Sequence, residues 1–178
     1  MVEPAEALLR VTLAEYEKLK DEQRARIGVR DNLIYAALVA GAAVAGATAT
    51  RGTAAFLLLL PPVSALLGWT YLMNDHKISQ LGKYFRSNTR PALTALTGQP
   101  ALGWEYRDLN RRRSVRKRLQ LGFDLLAFTV LPLAALVAYW TAGPRTAPFL
   151  AVSAAETGLL GVVAAAIVYY VEVDWRRR

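Results

Sequence analysis

The sequence predicts an all-α membrane protein whose four transmembrane helices form two hairpins. An N-terminal amphipathic cytosolic helix precedes the first hairpin, and a helical, basic cytosolic loop joins the two. Three observations predict this class. The 178 residues are 54% hydrophobic, yet the chain formally carries +8. The apolar residues are bunched into four runs instead of being spread at the helix or strand period of a soluble core. The 22 Lys and Arg residues gather almost entirely beside alternate ends of those runs.

The length suits one domain covering 1–178. With no cysteine in the chain, disulfide frameworks, thiol chemistry and Cys-type zinc sites are excluded. Arg outnumbers Lys by 17 to 5, which suggests a GC-rich bacterial gene. The opening residues MVEPAEALLR lack a basic n-region and an apolar h-region, so no cleaved signal peptide is expected. A net positive charge raises nucleic acid as a partner. The cations flank apolar runs, however, and no helix-turn-helix or RNA-binding motif accompanies them, so no nucleic acid is expected.

Residues 12–30 read as an amphipathic helix. Thr12 followed by Glu15 makes a capping box, Leu13, Tyr16, Leu19, Gln23 and Ile27 follow helical spacing, and Glu22 lies four before Arg26. Such a helix either packs lightly on its neighbours or bundles with copies of itself. The first span is 33–50, which holds no charge, and Arg51-Gly52 makes the turn into the second span, 53–73. A hydrocarbon core of about 30 Å needs about 20 helical residues, so both stretches are long enough. Pro61-Pro62 falls inside the second span and is expected to kink it, freeing carbonyls for Ser64 or a neighbouring helix. The stretch 74–118 reads as the basic loop. Its first part, with Ile78, Leu81 and Phe85 at helical spacing, extends the second helix, and Pro91, Gly98, Pro100 and Gly103 then delimit irregular chain. The third span is 119–140, a turn surrounds Gly143-Pro144-Arg145, the fourth span is 147–171, and 172–178 is a tail.

Twenty of the 22 cations fall on one side of this layout, which places both termini and the long loop in the cytoplasm of a bacterial cell. Residues 31–68 also align without gaps on 124–161, with Asp31 on Asp124, Phe56-Leu57 on Phe149-Leu150, and Leu66-Leu67-Gly68 on Leu159-Leu160-Gly161. The match suggests a parallel repeat of one hairpin.

Glu156 lies nine residues past Ala147, about 13 Å deep at 1.5 Å per residue and so near the membrane midplane. It either bonds to Ser64 or a backbone carbonyl, lines an ion or proton path, or sits nearer the outer interface. Asp124 and Asp31 read as interfacial acids beside flanking arginines. His76, with Asn74 and Asp75, forms a polar collar at the inner end of the second span. No cofactor or metal site is expected, because no ligand set is spaced around this single histidine. Gly41/Ala45, Ala42/Gly46, Ala154/Gly158 and Gly161/Ala165 are small-xxx-small pairs that let helix backbones approach within the molecule or between copies. Arg111, Arg112, Arg113, Arg116, Lys117 and Arg118 form a juxtamembrane cluster suited to anionic lipid headgroups.

The segments EYEKLKDEQRARIGVRDNL and GWTYLMNDHKISQLGKYF resemble those of an uncharacterised bacterial family of four-helix integral membrane proteins. In that family an amphipathic EY-x-x-L helix feeds a hairpin, and an ND-x-x-I-x-x-(I/L)-G-x-Y/F stretch follows its second span. The layout is also similar, in architecture alone, to small transmembrane effector modules of bacterial conflict systems, which implies self-association. Function is expected to be non-catalytic: an oligomeric module that forms or gates a permeation path, or an anchor that recruits a cytosolic partner through the amphipathic helix and basic loop.

Overall fold

The computed structural model describes the backbone of residues 4–103 and 112–176 and the side chains of 4–103 and 119–170. Every secondary-structure element among the described residues is helical. Four helical stretches are long and apolar enough to cross a membrane, which fits a multi-pass membrane protein.

The first stretch is a single helix, α1 (Pro4–Arg51), of 48 residues. The capping box expected at Thr12 is not used, because the helix has already begun; the Thr12 hydroxyl donates to the Leu8 carbonyl at 2.9 Å. No proline or glycine interrupts Arg30 to Asn32, so the amphipathic segment and the first span merge. The helix stops at Gly52, whose φ of +63° suits a residue without a β-carbon and whose N–H reaches the Thr48 carbonyl at 3.0 Å.

The second stretch begins with a 3-10 segment (Ala54–Leu59) and continues as α2 (Leu60–Tyr84), a π turn (Phe85–Thr89) and α3 (Arg90–Thr97). Two proline expectations are corrected here. Pro61 and Pro62 fall in the first turn of α2, where a missing N–H costs nothing, so they start the α-helix instead of kinking it. Pro91 likewise opens α3 and does not break the chain; helix persists until Gly98, with φ of +68°.

The third stretch joins α4 (Arg112–Leu125) through a π turn (Leu126–Val130) to α5 (Leu131–Ala142). Both π turns precede a proline by one residue. The residue between reaches back five positions, Arg90 N–H to the Phe85 carbonyl and Leu131 N–H to the Leu126 carbonyl. A widened turn gives the proline ring room that a regular turn denies it. The last helix is α6 (Ala147–Arg176).

The first half of α1 packs on the far half of α2. Tyr84 donates to Glu15 at 2.7 Å, Gln23 to the Ile78 carbonyl at 3.4 Å, and the Tyr16 ring meets Phe85 edge-on at 5.1 Å. The inward face of that half-helix is therefore occupied, while Leu8, Val11 and Leu13 are exposed. The expected Glu22–Arg26 ion pair is present at 2.6 Å.

The core is built on Phe128, Tyr139, Leu160 and Ile167. At its centre a β-carbon on Gly68 would sit 2.9 Å from Phe128 Cβ and 3.2 Å from Val163 Cγ1. Three helical stretches meet there at backbone distance. By contrast, nothing lies within 4 Å of the β-carbon direction at Gly41, Gly46, Gly158 or Gly161, and Ala45 is exposed. These pairs therefore do not pack within the molecule. A small-xxx-small pattern specifies how close a backbone can come, not which neighbour comes. The aligned glycines Gly68 and Gly161 accordingly sit in opposite environments.

Tyr139, fully buried, ties the turn between α5 and α6 by donating from its hydroxyl to the Pro144 carbonyl at 2.7 Å. Tyr139→Phe should cost about 1 kcal/mol, read as a lower midpoint in a detergent thermal melt; an unchanged midpoint removes that tie from the stability argument.

Candidate functional site

Two groups of polar side chains interrupt the apolar interior. The first stands on α6, where Ser153, Glu156, Leu160, Val163 and Ile167 form the buried stripe. The spacing of three and four residues puts them on one helix face. Glu156 is 7% exposed and Ser153 4% exposed. Glu156 Oε2, Ser153 Oγ and Thr129 Oγ1 are each buried without a hydrogen-bond partner among the described residues. The burial expected for Glu156 is therefore found, but Oε2 does not bond to Ser64, which is itself buried at 2% exposure. Unpaired buried oxygens are rare because each forfeits its hydration without replacement.

The second group lies at the other end of the bundle. Tyr71 and Asp75 are one turn apart on α2, and Gln120 and Asp124 are one turn apart on α4, so each helix presents an i, i+4 polar pair. Gln120 donates from Nε2 to the Tyr71 hydroxyl at 3.2 Å and to Asp75 at 3.3 Å. The Tyr71 hydroxyl also lies beside the Asp124 carboxyl. Arg30 of α1 reaches Asp75 at 3.1 Å and Asp31 at 3.0 Å. One guanidinium thus serves a neighbourhood of three carboxylates. A cavity of about 40 Å³ opens beside Tyr71, Asp75, His76, Gln120 and Asp124, large enough for a few waters. His76 closes one side, its ring 4.9 Å from that of Tyr170 and its Nε2 2.7 Å from Gln80.

Asp31 stands as expected, paired with Arg30. Asp124 is enclosed within the bundle, at 8% exposure and beside Tyr71. Asp75 belongs to the polar collar expected around His76, whereas nothing in the sequence joins it to Arg30, Tyr71 and Gln120. The usable signal is the pair of i, i+4 polar doublets, Tyr71/Asp75 and Gln120/Asp124, on the second and third apolar stretches. Arg111 lies outside the described residues, and the side chains of Arg112, Arg113, Arg116, Lys117 and Arg118 lie outside the described side chains.

Arg30→Ala should lower stability by about 1–3 kcal/mol, because Asp75 keeps only Gln120 while remaining about two-thirds enclosed. Thermal melts of the variant against Arg30→Lys check this, and equal midpoints for wild type and Arg30→Ala would show the pair to be idle.

No protein-family model, curated protein or solved structure matches the chain.

Proposed function

We propose that this protein is a non-catalytic, self-associating membrane module that forms or gates a permeation path, with two hairpins in the bilayer and both termini in the cytoplasm. The observation that carries the reading is the unpaired carboxyl oxygen of Glu156 inside an apolar span, with the unpaired Ser153 hydroxyl one turn away. A polar group in the hydrocarbon region is expensive and is retained where it meets water, a proton or an ion. The polar cavity around Asp75 and Asp124 provides an entrance at the opposite end of the same bundle. Within this proposal the 111–118 cations rest on anionic headgroups and orient the protein.

The test is ion and proton flux into dye-loaded liposomes. Wild-type protein should conduct, and Glu156→Gln at equal incorporation should reduce flux about tenfold or more. Flux unaffected by the substitution takes Glu156 out of the path, and an impermeable wild type overturns the permeation reading.

A second reading, an anchor for a cytosolic partner, is favoured by one feature. The half of α1 before the span forms with α2 an open groove of about 470 Å³ lined by Leu19, Glu22, Lys77 and Gln80. It expects that deleting residues 1–30 abolishes partner capture while membrane insertion survives.

A further inference from the structure

The outward face of α1 carries more pattern than a lipid-facing or solvated surface requires. From residue 4 to residue 49, the positions spaced alternately by three and four residues are exposed without exception. That spacing is the 3.5-residue repeat of a helix–helix seam. Most of its members are small or aliphatic: Val11 and Ala25 before the span, Val39, Ala42 and Gly46 within it. Val11 is 65% exposed and Val39 67% exposed. Gly28 and Gly46, both on the seam, have nothing within 4 Å in the β-carbon direction. A glycine inside a helix lowers its stability, and here no intramolecular neighbour uses the space gained. Within the apolar span of α1 only 6% of residues are buried, against 44% for the second stretch.

We infer that α1 pairs in parallel with α1 of a second copy along this seam. Copies inserted in one bilayer share an orientation, so a two-fold axis along the membrane normal brings identical residues together. Three polar residues interrupt the seam, and each suits that partner. Lys18 and Asp21 are adjacent seam positions, so in a parallel pair each lysine faces its own copy with the partner's aspartate one layer away to offset the like charge. Asp21 already holds Arg24 at 3.3 Å yet stays 68% exposed. Asn32 stands at the boundary of the span, where an amide can pair with its own copy and set register. Charge flanks rather than fills the seam: Glu6–Arg10 and Glu22–Arg26 pair within the helix. A bilayer alone accounts for an apolar face between residues 33 and 50, but not for its continuation through Ala25 and Val11.

This inference rests on the self-association in the proposed function and not on permeation, and its test reads contact directly. The chain has no cysteine, so single cysteines report cleanly. In membranes at low oxidant, Ala25→Cys and Ala42→Cys should each form disulfide dimers, at least fivefold more than Val162→Cys on the 61%-exposed face of α6. Adding Gly46→Leu, which meets no neighbour within the molecule, should cut both cross-links at least fivefold. Equal cross-linking at Val162→Cys overturns the seam. Cross-links between Ala25→Cys and Ala42→Cys in mixed samples, without same-residue dimers, overturn the parallel pairing. Flux that responds to Glu156→Gln in a protein lacking seam cross-links overturns the seam and leaves the permeation reading intact.

Discussion

Gly68→Leu is expected to abolish the compact, monodisperse protein in detergent, while Gly161→Leu leaves it intact. The first leucine would drive its β-carbon to 2.9 Å from Phe128 Cβ and 3.2 Å from Val163 Cγ1. Phe128 Cβ is fixed by its backbone, so it cannot swing away as the end of a long side chain would. Two further helical stretches would have to separate across the centre of the core. The smaller change Gly68→Ala should cost about 1–3 kcal/mol, the usual range for forcing atoms into a filled interior. That corresponds to a melting midpoint lower by roughly 3–10 °C for a chain of this length. Gly161→Ala meets nothing within 4 Å and should be neutral or slightly stabilising through helix propensity. The measurement is a pair of thermal melts with size-exclusion profiles. Equal midpoints for the two alanine variants would show that the close approach at Gly68 is absent.

Glu156→Leu is expected to stabilise the protein and silence it together. The carboxyl spends its solvation on a position where Oε2 has no partner, and leucine of similar reach asks for none. Relief of an unsatisfied buried group amounts to about 1–3 kcal/mol, a rise of roughly 3–10 °C in midpoint. Flux in liposomes should fall to background in the same preparation. Opposed changes of this kind mark a residue kept for function against stability. A lower midpoint for Glu156→Leu would mean that the carboxyl is bonded and stabilises the fold.

The spans were legible because their signal is local: run length and absence of charge suffice, and all four stretches lie where those runs lie. The burial of Glu156 was legible for the same reason, since a charge in an apolar run has few tolerable places to face. Other features depend on what sits opposite. The enclosure of Asp124 depends on Tyr71 of a different helix, which its own stretch of sequence does not name. The glycines of α1 and α6 read as packing sites, whereas the packing glycine is Gly68, which no pattern distinguished. Helix ends fell between these cases. Gly52 and Gly98 stop helices as expected, while Pro61, Pro91 and Pro132 begin new turns instead of ending old ones, because a preceding 3-10 or π segment absorbs the ring.

The unbroken course of α1 makes it a strut. Its 48 residues extend about 72 Å, more than twice the hydrocarbon thickness of about 30 Å. No break in the helix separates its polar first half from its apolar second half. Torque or tilt applied near Val11 must therefore reappear near Gly46, and through Arg30 it bears on Asp75 midway along the lever. A load on the protruding arm is thus transmitted mechanically to the bundle where the Arg30–Asp75 ion pair joins the two.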